Sequence, residues 1–270
     1  MNCRLMATDF SRTLALEHTL TILTKIIDKF YTLWFFIILK RRYWREGYFK
    51  LLSGKGLELG ALHLPSTAPH LEIQYVDRMT VAELKAQYPE LDKKQLTNVD
   101  IVDDAETLAS IADNSQDFVI ATHIIEHMKN PIGALLAWQR VLKPGGRLFL
   151  AAPDKDLTFD KERDTTTVEH VVADYEDPSD TRDFEAYKEF ALHVSCRIYK
   201  VRPEEKYQQL AQELWDTQYS IHYHAWNLEA FTKLLDHMSN QLEAWSMRCI
   251  DYMPTKKKEF IFILEKLYLR

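Results

Sequence analysis

The sequence predicts an α/β fold built on parallel strands, and three observations carry that prediction. Asp117-Phe-Val-Ile-Ala-Thr122 is a short, apolar, β-branched run, as expected of a strand buried on both faces. Pro131 stands where a helix would begin, and Leu135, Leu136, Trp138, Val141 and Leu142 recur near helical spacing until Lys143-Pro-Gly-Gly146 halts them. Arg147-Leu-Phe-Leu-Ala-Ala152 is a second apolar strand, so the stretch reads as a right-handed βαβ unit.

A chain of 270 residues, 46% hydrophobic, can bury one good core with additions, or two small ones. The net charge of −6 gives no electrostatic case for nucleic-acid binding. Cys3, Cys196 and Cys249 are scattered and odd in number, which is neither a disulfide framework nor a zinc pattern and suits a reducing compartment. From Leu14 to Leu39 the chain is mostly apolar, but its uncharged core, residues 30–39, is too short to span a bilayer. No small-residue cleavage site follows it, which argues against a signal peptide. Lys40-Arg-Arg-Tyr-Trp-Arg45 adds cations and aromatics directly afterwards. Residues 14–45 therefore read either as a peripheral membrane anchor or as a helix docked on its own domain.

Leu57-Glu58-Leu59 is a minimal strand that Gly60 ends in a sharp turn, where the backbone can approach a ligand closely. Leu71 to Asp77 is the next strand, and its closing acid stands where a doubly wound fold places a carboxylate for ribose hydroxyls. In isolation Asp77 could equally cap the helix expected from Val81 to Tyr88. Val99 to Asp104 reads as a third strand, running into a short helix over residues 105–108.

The order strand–Gly turn, strand–Asp, strand–Asp-Ala, strand–His, helix, Pro-Gly-Gly, strand resembles the class I S-adenosylmethionine-dependent methyltransferases of the small-molecule type. The matching pieces are GLELGAL (56–62), YVDRM (75–79), VDDAETL (102–108), NSQDFVIATHIIEH (114–127) and LKPGGRLFLAAP (142–153). The first departs from the family pattern, with His63-Leu-Pro in place of further glycines. The resemblance implies a doubly wound, mostly parallel, seven-stranded Rossmann-like sheet closed by an antiparallel hairpin, with S-adenosyl-L-methionine as cofactor. It also implies Glu58 and Gly60 beside the methionine portion, Asp77 on the ribose and Arg78 or Met79 against the adenine. Asp104 and Ala105 would meet the adenine edge, with Thr122 and His123 facing the sulfonium and acceptor.

His123-Ile-Ile-Glu-His127 also spells the H-x-x-E-H motif of a zinc peptidase class. That chemistry needs both imidazoles on one helix face, whereas His123 comes straight off a predicted strand and Glu126 suits a helix start. After Pro153 a long insertion precedes the last helix, and it is expected to stand over the methyl end of the cofactor and supply the acceptor pocket. Asp160, Arg163, Thr165, Thr166 and His170 form its polar cluster, of which Asp160, Arg163 and His170 are the substrate-binding candidates. His222 and His224 alternate in the strand manner and would share a face. With His170 they could hold a metal, but exposed or capping roles are commoner, so no metal ligand is assigned. The aromatics between residues 180 and 215 read as the core of amphipathic lid helices. Asn227 should cap a helix from Leu228 to Asp236. Leu242–Ile250 and Glu259–Leu267 should be two closing strands, turning at Pro254 and the lysine run 256–258.

The expected organisation is an N-terminal helical extension (1–50), a cofactor-binding half (51–153), an inserted α-rich cap (154–226) and a closing helix and hairpin (227–270). The expected reaction is methyl transfer to an oxygen or nitrogen of a small or membrane- or glycan-associated acceptor, with His123, His222 and His224 as candidate bases. The expected location is cytoplasmic, with peripheral contact at the inner face of the membrane through residues 14–45. Three rivals are a non-catalytic scaffold on the same fold, a zinc-dependent hydrolase using H-x-x-E-H, and a nicotinamide-dependent oxidoreductase, which would need phosphate-cradling glycines that this chain lacks.

Overall fold

The computed structural model describes residues 42–88, 91 and 93–268; the apolar segment 14–39 lies outside them. Seven strands form one sheet: β1 (Gly54–Leu59), β2 (Leu71–Asp77), β3 (Ile101–Val102), β4 (Gln116–Thr122), β5 (Leu142–Pro153), β6 (Met247–Lys256) and β7 (Glu259–Lys266). Their order is β3-β2-β1-β4-β5-β7-β6. All pairings are parallel up to β5, and β7 joins antiparallel on both sides. The chain winds outward from β1 to β3 and then returns to β4 beside β1, so the carboxyl ends of β1 and β4 flank the crevice where the winding direction switches.

Period-two alternation lets every central strand feed two cores. Leu57, Leu59, Val119, Ala121, Leu148 and Leu150 face one side, with Trp138 of α3 (Pro131–Val141) and Phe231 of α7 (Leu228–Gln241). Phe118, Ile120, Phe149 and Ala151 face the other, where α1 (Arg42–Phe49) sets Phe49 on Phe149 with ring centroids 4.8 Å apart. Helix α2 (Val81–Gln87) carries a full capping box between Thr80 and Glu83. Asn130 caps α3 ahead of Pro131, and Asn227 caps α7 through Ala230.

The helix from Leu228 runs on to Gln241 and the first strand begins at Gly54, both longer than expected; three other boundaries differ for a local reason. The third strand shrinks to Ile101–Val102 because the Asp103 and Asp104 carboxylates accept the nearby amides of Asp104, Ser110 and Glu106. That folds the expected short helix into turns. Lys143-Pro-Gly-Gly146 ends the helix but already lies within β5, as an irregular register with Gly145 at φ +79°. The first closing strand begins and ends later than expected. Pro254 sits inside β6 at a register shift on the sheet edge, where its missing N–H costs nothing, and Lys257 and Lys258 turn the chain with positive φ.

The segment between β5 and α7 forms α4 (Val168–Glu176), α5 (Asp180–Phe190), a π-type continuation over Ala191–Ile198, and α6 (Tyr207–Asp216). Tyr187, Phe190, Val194, Leu210, Leu214 and Tyr219 make this segment an apolar core of its own, with Phe184, Tyr207 and Trp215 against it.

Backbones approach most closely at Gly56 of β1, where a Cβ would lie 2.2 Å from the Phe118 carbonyl oxygen and 2.6 Å from its ring. The obstacle is backbone in the sheet centre, so it cannot rotate away. Gly56→Ala should therefore destabilise the fold by about 3 kcal/mol, the upper range of overpacking. A urea midpoint unchanged from wild type would contradict that close approach.

Candidate active site

A cavity of about 240 Å³ opens at the carboxyl ends of β1 and β2. Gly60, Asp77, Arg78, Asp104 and Ala105 line one end, with Leu62, Val76, Leu84 and Ile124 as apolar walls. His127, Lys129, Tyr187, Ser220 and Tyr223 line the other, the last three contributed by the segment between β5 and α7.

Each wall has a local cause. Gly60 adopts φ +61° while its amide donates to the Val76 carbonyl (2.9 Å), and Ile124 packs so close that a Cβ would meet its Cδ1 at 2.4 Å. Leu62 takes φ +48°, the left-handed region that a glycine would occupy at less cost, and its carbonyl accepts the Thr97 amide. Burial pushes the Asp77 carboxyl up to about 6, against the opposing pull of the Arg78 and Met79 amides. The Ala105 backbone is held by Trp138, whose indole N–H donates to the Ala105 carbonyl at 2.7 Å.

Of the residues expected at the site, Gly60, Asp77, Arg78, Asp104 and Ala105 share this wall. Glu58, Thr122, His123, Asp160, Arg163, His170, His222 and His224 do not line it. Glu58 accepts the Ser66 amide (2.9 Å) and hydroxyl (2.9 Å) and so closes the loop after β1. Burial raises its carboxyl to about 7 despite those bonds. His123 sits at φ +55° and donates from Nε2 to Glu259, whose carboxylate also takes the Arg45 guanidinium. Residues 219–226 are not a strand, so His222 and His224 do not share a face as their alternation suggests. His222 Nδ1 donates to Asp160 at 2.7 Å, whereas His224 stacks on Trp226 with ring centroids 5.0 Å apart.

Asp160 and Arg163 brace this loop from behind. Arg163 donates to Asp160 (3.0 Å) and to the carbonyls of His222 (2.9 Å) and Tyr223 (3.0 Å). Burial would raise the Asp160 carboxyl, but His222 and Arg163 more than offset it and hold it below its ordinary value.

The residues that sequence reasoning passed over are His127, Lys129, Tyr187, Ser220 and Tyr223. His127 falls in a single 3₁₀ turn, Ile125–His127, rather than in a helix, which carries it to the cavity. Its Nδ1 donates to the Ile221 carbonyl at 2.8 Å, leaving the lone pair on Nε2. Burial, then the neighbouring His222, lower the ring to about 3, so it is neutral at pH 7. Beside it Glu126 is 1% exposed, and neither of its carboxylate oxygens has a hydrogen-bond partner. Burial raises it to about 7, and the rings of His123 and His222 stand 3.7 and 3.9 Å away.

A doubly wound sheet in this strand order, with a crevice at its switch point ending in an acid on β2, is the Rossmann-like arrangement of the methyltransferase fold. Residues 54–150 match the family model described as a methyltransferase domain. No curated protein matches the chain. Among solved structures, the CurJ carbon methyltransferase is 16% identical over 80% of this chain and 49% of its own, with a TM-score of 0.40. The chain thus spans about half the length of that structure. A SAM-dependent methyltransferase from Methanosarcina mazei is 16% identical, covering 83% and 96% of the two chains, with a TM-score of 0.39. A SAM-dependent methyltransferase from Thermotoga maritima, described as a possible histamine N-methyltransferase, is 15% identical over 89% and 98%, with a TM-score of 0.46.

S-adenosylmethionine is the cofactor of this class, and the cavity fits it. The cavity offers a partly buried carboxylate for vicinal hydroxyls, apolar walls for a purine, and a glycine turn where a side chain would intrude.

Proposed function

We propose that the protein transfers a methyl group from S-adenosylmethionine to an oxygen or nitrogen of a small acceptor, free or carried on a membrane lipid or glycan. One observation carries the reading: a single cavity joins the cofactor-class wall at β1 and β2 to the polar side chains of the β5–α7 segment. When bound, the cofactor supplies a sulfonium-activated methyl group. The chain's own residues then have to hold the acceptor in line and exclude water. Gly60, Asp77, Arg78, Asp104 and Ala105 are assigned to the adenosyl side. Ser220, Tyr187, Tyr223 and Lys129 are assigned to the acceptor side.

The histidine assigned to the acceptor group is His127, since it lines the cavity and the three histidines expected from sequence do not. Its Nδ1–H is fixed on the Ile221 carbonyl, so the Nε2 lone pair of a neutral ring can accept a hydrogen bond from the acceptor group and orient it. His222, edge-on to His127 at 4.7 Å and bonded to Asp160, is a positioning residue behind it. The apolar segment ending in Lys40-Arg-Arg-Tyr-Trp-Arg45 supports an acceptor presented at the inner face of a membrane, with the protein bound there peripherally.

The test is release of S-adenosylhomocysteine from the full chain given S-adenosylmethionine and a panel of hydroxyl and amine acceptors, with lipid-linked sugars among them. With a hydroxyl acceptor, His127→Ala should lower kcat by roughly tenfold, the loss of one orienting hydrogen bond. Unaltered kcat in that variant would remove the assignment of His127. Absence of any cofactor binding would remove the methyltransferase reading.

A further inference from the structure

Away from the cavity, α4 and the 219–226 loop bring together His170, Asp174 and His224, and we propose that these three residues form a binding site for a transition-metal cation of the zinc type. One donor atom of each lies within 4.8 Å of the others. His170 Nε2 is 3.2 Å from Asp174 Oδ2, and His224 Nε2 is 3.9 Å from that same oxygen. Two ligands about 2.0–2.2 Å from a tetrahedral cation stand roughly 3.4 Å apart, so a small contraction brings the set to bonding distance.

Both inner donors are buried, His224 at 1% and Asp174 at 8% exposed, and Asp174 Oδ2 turns toward the two imidazoles with no closer hydrogen bond of its own. A simple surface ion pair between His170 and Asp174, four residues apart on α4, would not require a second imidazole buried beside them.

The surroundings are those of a supported ligand set. Asp174 Oδ1 is held by Arg182, at 2.7 Å from Nε and 2.6 Å from Nη2, which leaves Oδ2 for the cation. The His224 ring is fixed by its stack on Trp226 and lies against the carbonyls of Met128 and Lys129. Two imidazoles and one carboxylate suit zinc and its neighbours, whereas magnesium and calcium take all-oxygen sites. Access comes through the half-exposed His170, and Asp174 also lines a hollow of about 320 Å³. The cation would clip α4 to the loop that delivers Ser220 and Tyr223 to the cavity.

The test is metal content, so it stands apart from the methyltransferase reading. The full-length protein, stripped with a chelator and dialysed against Zn²⁺, should retain one equivalent and melt at a higher temperature, and Mg²⁺ should do neither. His170→Ala, at an exposed position that should not disturb folding, and Asp174→Asn should each weaken Zn²⁺ binding. The loss should exceed the roughly 10–100-fold that removing a supporting residue costs. His127→Ala is the control, because Glu126, His127 and His222 are a second convergent group. Its retention of Zn²⁺ is expected. No Zn²⁺ in the wild-type protein, equal retention of Mg²⁺, or binding that survives at residues 170 and 174 but is lost in His127→Ala would each overturn the proposal.

Discussion

Asp77→Ala is expected to weaken S-adenosylhomocysteine binding by about 100-fold or more, since hydrogen bonds to a charged group contribute roughly 1.5–3 kcal/mol each and a ribose offers two hydroxyls. The carboxylate ends β2, lines the cavity and is held at about 6 by burial. Its ionised form accepts from both hydroxyls; its neutral form does so less well. Wild-type affinity should therefore fall as the pH drops from 7.5 through 6 to 5, while Asp77→Asn should bind weakly and evenly across that range.

Stability runs the other way. A carboxyl whose folded value lies above its ordinary 3.8 favours the fold most at low pH, and that contribution is lost as the pH rises through about 6. At pH 7.5 Asp77→Asn should thus melt no lower than wild type while binding worse. Calorimetric titration at the three pH values checks the first claim and thermal melting the second. Full affinity in Asp77→Ala would show that the acid does not hold the cofactor.

Glu259→Ala should be strongly destabilising, at about 3–5 kcal/mol, the cost of leaving a buried charge without its partner. Glu259 begins β7 with 0% exposure. It accepts both a bidentate Arg45 fork, at 2.8 and 2.5 Å, and the His123 ring at 2.5 Å. One carboxylate thereby joins α1, the closing hairpin and the turn after β4. The alanine variant strands a guanidinium that is 9% exposed. A lowering of the melting temperature by roughly 10 °C or more is expected for a chain of this size, with a smaller loss for Glu259→Gln, which keeps the shape. A melting temperature within a degree or two of wild type would show that these ion pairs contribute little.

The central strands were legible because burial on both faces leaves continuous apolar runs such as 117–122 and 147–152, which few other structures need. The placement of Gly60 and Asp77 in the cavity wall was legible because it depends only on position relative to a strand end. The histidines were not. His222 and His224 alternate, but residues 219–226 form an irregular loop with a bend at Tyr223 and not a strand, so the alternation carried no information about facing. Their surroundings are set by Asp160, Arg163 and Asp174, far off in sequence. His127 was hidden by reading H-x-x-E-H against a helix, when one tight turn decides where each ring points. The role of Arg45 depends on Glu259, 214 residues away, and no local pattern encodes that pairing.

Tyr187 belongs to two structures at once. It is buried in the apolar core of the β5–α7 segment, donates its hydroxyl to the Tyr219 carbonyl at 2.8 Å, and also forms part of the cavity wall. Occupancy of the cavity and order in that segment are therefore reciprocal. A ligand touching Tyr187 should slow amide exchange across α5 and α6, and a substitution that loosens those helices should weaken the ligand by the same free energy. Affinity in this molecule is partly written in residues that no ligand touches.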